Sequence, residues 1–292
     1  MRHSVRRLVY GAGAVAAVGA LTCGQGIVGA ASASSADAAS PTTTASKATS
    51  AKMVSARIVS SRTAAAAAYV PPRHPLLVGA HGPAVRSVQQ RLANLKYYPG
   101  PIDGKYGPDL QEAAWAFREV QGLPMNASRA AQPITRTFEH DLINPRLPHA
   151  KFPKRAANRI EINQNIQVLV LYKDSKPTLI IHVSTGGGYH YCSKSGCGVA
   201  ITPDGHYKAL SFAAGWIKVP LGTMYNPVFF IGRAYAIHGD IPVPWYPASH
   251  GCVRIWMDVA PWFHKRISIG GAHPTPVYVY GTAPYQPSIV GT

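Results

Sequence analysis

The sequence predicts a multidomain α + β chain, in which a small three-helix domain precedes a mainly antiparallel β-sandwich. Apolar residues recur at helical spacing over residues 74–145, whereas short apolar runs separated by Gly and Pro occupy residues 159–282. Composition sets the remaining boundaries. Residues 37–73 are an Ala/Ser/Thr-rich linker, residues 146–158 are a linker rich in Pro and Lys/Arg, and residues 283–292 form a C-terminal tail.

Composition limits the class of protein. The chain has 292 residues, of which 47% are hydrophobic and 14% are charged. Its 15 Tyr, 7 Phe and 5 Trp exclude a fully disordered chain, and no apolar run of bilayer length occurs beyond the N-terminus, which excludes a polytopic membrane protein. The formal net charge of +17 favours an anionic partner. Nucleic acid, anionic lipid and a cell wall with carboxylates and phosphates are the candidates.

Residues 1–36 have the pattern of an export signal. Arg2, Arg6 and Arg7 form a basic start, and the apolar stretch 8–28 is followed by small residues suited to cleavage. We therefore expect the protein to be secreted. A retained N-terminal membrane anchor is the alternative, and the Gly-Gln-Gly interruption of the apolar stretch argues against it.

Export changes how the cysteines are interpreted. After cleavage of the signal, Cys192, Cys197 and Cys252 remain, and two cysteines outside the cytosol tend to pair. Cys192 and Cys197 flank a Ser-Lys-Ser-Gly loop that a disulfide would close. Cys252 is then unpaired, and an unpaired thiol in a secreted protein is either an intermolecular link or a reactive group.

Three helices are predicted within residues 74–145. Val85, Val88 and Leu92 lie on one face of the first, the second ends at Gly122, and the third begins at Thr135. The segment resembles the peptidoglycan-binding domain of the helical type 1 family. The matching residues are 82–85, 88–92, Leu95, Tyr97, Gly100, 102–107, Ala113, Phe117 and 121–123. The resemblance implies a domain that binds the cell wall, and a three-helix spacer without wall affinity is the alternative.

The second half of the chain has the pattern of strands. Ile160, Ile162 and Val168 begin a series of apolar residues that alternate or cluster, and Gly and Pro divide the series into short segments. Residues 259–269 are the candidate for one short helix in this half. We therefore expect a sheet domain with long loops.

The densest group of reactive side chains is His238-Gly239 followed by Ser249-His250-Gly251-Cys252-Val253-Arg254. A thiol attacks carbonyls as the thiolate, and a neighbouring imidazole activates it by accepting its proton. Gly239 and Gly251 leave room for a substrate to approach the backbone, so Gly239 is a candidate for the substrate site. Backbone N–H groups around Gly251 and Cys252 are candidates for stabilising a tetrahedral oxyanion.

This pattern resembles the catalytic motif of the L,D-transpeptidase (YkuD-type) family. The family shows His, a spacer, Ser/Thr-His-Gly-Cys, an apolar residue, and Arg or Asn, and every position is filled here. The likeness extends over about residues 159–281. It implies a YkuD-like catalytic domain in which Cys252 is the nucleophile and His238 is the general base and acid.

The same resemblance implies roles for the neighbouring residues. The backbone of Gly239 would orient His238, and His250 and Gly251 would shape the oxyanion region. Arg254 would brace the loop or contact a substrate carboxylate, and Ser249 would cap the Cys loop by hydrogen bonds. Tyr225 is a candidate for lining a substrate groove, with core packing as the alternative.

Zinc binding by His238, His250 and Cys252 is the chemical rival, but His-Gly-Cys lacks the usual ligand spacing, so we expect no metal and no cofactor. The resemblance implies an enzyme that forms 3→3 peptidoglycan cross-links through a cysteine thioester. A tetrapeptide stem would be the donor and a neighbouring stem the acceptor. Hydrolysis of the stems by an L,D-carboxypeptidase and a non-catalytic wall-binding protein are the alternatives. Nucleic acid is not expected, since the chain has no readout motif.

Overall fold

The computed structural model describes residues 69, 71–97, 100–125, 132–194 and 196–284. The predicted export signal lies outside the described residues, as do the linker up to residue 68 and the tail from residue 285. Among the described residues, no helix has the length and apolar character needed to cross a bilayer.

Within the described residues up to 145, the structure has three helices: α1 (Pro83–Asn94), α2 (Pro108–Gln121) and α3 (Arg136–Ile143). Proline occupies the first turn of α1 and α2, where its missing N–H costs no hydrogen bond. Helix α2 ends at Gly122 in the left-handed conformation (φ 72°), and α3 begins at Thr135, whose hydroxyl accepts from the N–H of Phe138 at 3.4 Å. Phe117 of α2 and Phe138 of α3 pack with ring centroids 4.8 Å apart, so the helices share one core.

The C-terminal half is built from strands. They are β1 (Arg159–Asn163), β2 (Val168–Lys173), β3 (Lys176–His182), β4 (His190–Ser193), β5 (Gly196–Val199), β6 (Gly205–Lys208), β7 (Ser211–Phe212), β8 (Trp216–Val219), β9 (Gly222–Ile231), β10 (Tyr235–Gly239), β11 (Val253–Ile255) and β12 (Pro276–Tyr280).

Two sheets stack around one core. The first sheet has the order β3-β2-β1-β12-β6, and the second has the order β11-β10-β9-β7 with β8 beside β9. Of the strand pairs in the part of the chain that the structure describes, β1 with β12 and β10 with β11 are parallel, and the others are antiparallel. Buried residues of both sheets, such as Leu169 of the first and Ile237 of the second, belong to one apolar cluster. Strands β4 and β5 form a separate hairpin.

The predicted order of a helical region and a mainly antiparallel β region is confirmed. The three helices of the first half are present as predicted. The described residues contain a fourth helix, α4 (Ala260–Phe263), in the β region. It covers only the start of the 259–269 candidate and is continued by a 3-10 turn over His264–Arg266.

The helical region packs on the outer face of the first sheet. Side chains alternate along a strand, so Leu169 and Leu171 of β2 face the sandwich core, whereas Val168 and Val170 face the other way and join the core of the helices. The N–H of Ile180 in β3 also donates to the carbonyl of Lys96, at 2.8 Å, after helix α1. Both faces of β2 and β3 are therefore covered.

Candidate active site

His238 lies on β10, between β9 and β11 in the second sheet. It is buried, and its Nδ1 lies 2.9 Å from the carbonyl oxygen of Gly239. A carbonyl oxygen only accepts, so Nδ1 carries the hydrogen and the lone pair of the neutral ring is on Nε2. The backbone of Gly239 therefore sets both the orientation and the tautomer of His238.

The loop before β11 places Cys252 beside that strand. The hydroxyl of Ser249 donates to the carbonyl oxygen of Cys252 at 2.5 Å and accepts from the N–H of Gly251 at 3.0 Å. Ser249 is itself buried. These two bonds close the loop around the cysteine, and they use the Gly251 N–H. The sequence suggested the N–H groups of Gly251 and Cys252 as donors to an oxyanion. Because the Gly251 N–H is bonded to Ser249, the Cys252 N–H is the candidate that remains.

Glycine at position 251 is required by both conformation and space. Its φ of 137° is one that side-chain-bearing residues rarely adopt, and a Cβ there would lie 2.7 Å from the carbonyl oxygen of Ile201. The Gly251 carbonyl accepts from the Thr202 hydroxyl at 2.7 Å, and that hydroxyl accepts from the N–H of Gly186 at 2.9 Å. Gly186 and Thr202, from two other segments of the chain, thus fix the position of the loop that carries Cys252.

His238 and Cys252 line one cavity of about 380 Å³. The lining residues are Tyr191, Ser193, Gly196, Cys197, Val219, Pro220, Leu221, Thr223, Met224, Arg233, Ala234, Tyr235, His238, Asp240, Ser249, His250, Cys252 and Arg254. The sulfur of the half-buried Cys252 lies 3.8 Å from the carbonyl oxygen of Ala234 and 3.9 Å from the Met224 sulfur. Burial raises the pKa of the Cys252 thiol and lowers the pKa of the His238 imidazole. Both shifts favour the neutral pair over the ion pair.

An ion pair borders the same cavity. The Arg254 Nε lies 2.8 Å from Asp240 Oδ2, and both side chains are partly exposed. Burial is the largest influence on the pKa of Cys252, and it raises that pKa. The hydrogen bond from the Ala236 N–H and the charge of Arg254 lower the pKa, whereas the charge of Asp240 raises it further. The pair therefore places one positive and one negative charge at the wall of the cavity.

His250 is partly buried and packs against two aromatic rings. Its imidazole meets Tyr191 at 4.8 Å and Tyr189 at 5.5 Å between ring centroids, both edge to face. Tyr191 lies on the β4–β5 hairpin, where Cys192 and Cys197 are joined in a disulfide. Burial and the nearby Arg254 lower the pKa of His250. His250 thus forms part of the cavity wall, and the hairpin covers it.

The chain matches two family profiles. The peptidoglycan binding domain profile matches residues 81–126, and the L,D-transpeptidase catalytic domain (YkuD) profile matches residues 157–279. A crystal structure of an L,D-transpeptidase (residues 123–326) from Xylanimonas cellulosilytica is 32% identical, with a TM-score of 0.63. That match covers 72% of this chain and 99% of the other. The chain belongs to the L,D-transpeptidase family.

More distant L,D-transpeptidases also match. One from Stackebrandtia nassauensis is 18% identical over 71% of this chain and 96% of its own, with a TM-score of 0.38. One from Mycobacterium smegmatis is 18% identical over 43% of this chain and 59% of its own, with a TM-score of 0.34. Both are too distant to add to the argument. No curated protein matches the chain.

Two residues expected at the substrate site of this L,D-transpeptidase do not line the cavity. Tyr225 lies opposite Gly239 in the β9–β10 pairing and packs on Trp216, with ring centroids 5.3 Å apart. Gly239 allows close packing, since a Cβ there would lie 2.7 Å from the Cβ of Ala260. Gly239 contributes to the site through its carbonyl group, which accepts the hydrogen bond from His238.

Several cavity residues were not singled out from the sequence. Tyr191 comes from the hairpin, Tyr235 from the start of β10, and Arg233 from the turn before it. None stands in a recognisable motif, so only the fold brings them to the cysteine. Asp240 and Asp258 are the acidic residues close to the motif in sequence, and the structure pairs Arg254 with Asp240.

Proposed function

We propose that this L,D-transpeptidase forms 3→3 peptidoglycan cross-links through a thioester on Cys252, with His238 as general base and acid. The observation that carries the proposal is the arrangement of His238. Its Nδ1–H is held by the Gly239 carbonyl, and its Nε2 is left as the proton acceptor in the cavity that Cys252 lines. A neutral base with a fixed tautomer beside a thiol is the requirement for nucleophilic activation.

In the first step, the Cys252 thiol gives its proton to Nε2 of His238, and the sulfur attacks the carbonyl carbon of the L-centre residue in a tetrapeptide stem. The oxyanion is stabilised by the Cys252 N–H. The carbon–nitrogen bond to the terminal D-amino acid then breaks, and the imidazolium returns its proton to the leaving amine. A thioester on Cys252 remains.

In the second step, the side-chain amine of a neighbouring stem attacks the thioester. His238 accepts the proton of the amine, an amide bond forms as the carbon–sulfur bond breaks, and His238 returns the proton to the sulfur, which regenerates the Cys252 thiol. Water in place of the amine would give hydrolysis. The same cavity would admit either, so the product distinguishes cross-linking from the carboxypeptidase alternative.

Arg254 is the proposed contact for a substrate carboxylate. It borders the cavity and is already paired with Asp240 at 2.8 Å. A substrate carboxylate that takes Asp240's place would keep the guanidinium charge neutralised while fixing the stem. This exchange would favour binding of an anionic stem over a neutral one.

The cell wall is the proposed location. Residues 74–145 would hold the enzyme on its polymeric substrate and raise its local concentration there, and the net charge of +17 suits an anionic wall. Export by residues 1–36 belongs to the same proposal.

Product analysis tests this function. The full chain is incubated with purified disaccharide-tetrapeptides, and the products are separated by mass. We expect a dimer that has lost one terminal D-amino acid. Tripeptide alone would establish the hydrolase instead, and unchanged substrate would support a non-catalytic wall-binding protein. Cys252→Ala, with an unaltered disulfide, is the matched control and is expected to give no dimer.

A further inference from the structure

The loop that joins the proposed base to the proposed nucleophile is held by strand β3. This connecting loop, residues 240–248, follows His238-Gly239 on β10 and precedes Ser249. It joins β10 to β11, whose parallel pairing places the imidazole and the sulfur at one cavity, so a shift of the loop acts on both ends of that arrangement. His182 Nε2 lies 2.9 Å from the carbonyl oxygen of Pro244. Two residues further on, the hydroxyl of Ser184 donates to the carbonyl oxygen of Tyr246 at 2.8 Å.

The other nitrogen of His182 is held by the helical region. Nδ1 lies 2.9 Å from Oε1 and 3.1 Å from Oε2 of Glu119, near the end of helix α2. The His182 side chain is fully buried, and that of Glu119 is 7% exposed. Trp115, one turn earlier on the same helix face, meets the imidazole edge to face at 5.4 Å. Glu119, His182 and Pro244 therefore form a continuous buried bridge from the helical region to the connecting loop.

The hydrogen bonds of His182 determine where its protons lie. The Pro244 carbonyl only accepts, so Nε2 of His182 carries a hydrogen. Nδ1 faces a carboxyl group, so one further proton lies between Nδ1 and Glu119. Without the Glu119 carboxyl, Nδ1 would be a buried nitrogen without a partner, which is costly to maintain. The ring would then turn or shift to find one, and Pro244 would lose its hydrogen bond.

The helical region that carries Glu119 is packed tightly against the first sheet. Its apolar core includes Val168, Val170 and Ile180 from the outer face of the first sheet, and the Ile180 N–H donates to Lys96 at 2.8 Å. Ile180 and His182 lie on the same face of β3, because they are two residues apart. The carboxyl of Glu119 is thus presented to His182 from a packed interface.

We propose that Glu119 and His182 are positioning residues for the acyl transfer, so that the helical region completes the geometry of the active site in addition to any wall binding. The inference rests on the proposed function, since it concerns the placement of His238 relative to Cys252. Neither Glu119 nor His182 lines the cavity, and both act through the connecting loop.

The test compares Glu119→Leu with Glu119→Gln in the full chain. The substrate is the disaccharide-tetrapeptide, whose turnover does not depend on retention by the wall. We expect Glu119→Leu to lower kcat about ten-fold or more while KM changes by no more than about three-fold. Glu119→Gln should restore kcat to within about three-fold of the native enzyme, because the amide N–H can donate to Nδ1.

Glu139→Leu is the matched control. Glu139 is a buried residue on helix α3 of the same helical region, and the charge that acts on its carboxyl comes from Arg136 and not from His182. We expect its kcat to stay within about three-fold of the native value. If Glu119→Leu does not fold, Glu119→Asp replaces it. Its carboxyl is one methylene short of Nδ1, and the same ten-fold loss is expected with a retained circular dichroism spectrum.

Native kcat in folded Glu119→Leu or Glu119→Asp would overturn the inference, and so would an equal loss in Glu139→Leu. Failure of the proposed function is seen separately, as cross-linking that persists in Cys252→Ala. If Cys252→Ala is inactive and Glu119→Leu is native-like, only the positioning role is wrong.

Discussion

Replacement of Ser249 by Ala tests the closed loop around the cysteine. The hydroxyl makes two bonds, a donation to the Cys252 carbonyl at 2.5 Å and an acceptance from the Gly251 N–H at 3.0 Å. Alanine leaves a buried N–H without an acceptor, which costs about 1–3 kcal/mol. At about 2 kcal/mol, the melting temperature of a chain of this size falls by about 4–8 °C. Since an error of about 1 Å in placement costs about 100-fold in rate, we expect kcat to fall about 10- to 100-fold.

The assay is the initial rate of cross-link formation from disaccharide-tetrapeptides, with the melting temperature measured by circular dichroism. Ser249→Thr is the control, because it keeps a hydroxyl at the same position and should retain most of the activity. A kcat for Ser249→Ala within about two-fold of native, with an unchanged melting temperature, would refute the role given to these two bonds.

Two further predictions concern proton positions. His238→Asn keeps an N–H donor toward Gly239 but removes the base, so we expect kcat, and the rate at which iodoacetamide alkylates Cys252, to fall by about 100-fold or more; a loss below about ten-fold would contradict the assignment. Burial, followed by the charge of Asp109, raises the pKa of Asp258 from 3.8 to about 6. The folded state therefore holds this proton more tightly than the unfolded chain, and stability decreases as pH rises from about 4 to about 6 and stays reduced above that. Asp258→Asn should gain melting temperature relative to the native enzyme between pH 4 and pH 7, and a constant difference across that range would contradict the prediction.

The part of the site that is local in sequence could be predicted. His238, Ser249 and Cys252 stand within one short motif, and the family resemblance implied the roles of the Ser249 hydroxyl and the Gly239 backbone. Both roles are hydrogen bonds between residues that are close in the chain. The use of the Gly251 N–H by Ser249 was not foreseen. It depends on the turn that the φ of 137° at Gly251 imposes, and no residue pattern encodes such a turn alone.

The walls of the cavity could not be predicted in the same way. Tyr191 reaches it from a hairpin that is distant in the chain from the motif, and many arrangements of short strands share the same apolar pattern. Arg233 is close to His238 in sequence, but it stands in a turn whose direction the residue pattern does not give. The Pro and Lys/Arg content of residues 146–158 also predicts a linker between two domains. In the structure, the N–H groups of Lys151 and Phe152 donate to the buried carboxylate of Glu161 on β1.

The sequence does not predict that the helical region packs on the first sheet. The apolar run Val168–Leu171 has side chains suited to burial on both faces, but periodicity does not say what covers the second face. The helices cover it here, and Glu119 meets His182 at that interface. A polar pair formed between distant segments leaves no local signal in either.

The central claim is that the acyl group passes through the sulfur of Cys252. The most direct measurement is the reaction with donor stem alone, quenched in acid and mapped by peptide mass. We predict that the peptide containing Cys252 carries the acyl group of the shortened stem and that Cys252→Ala carries none. Cross-links formed without an adduct on Cys252, or an adduct on a different residue, would contradict the claim.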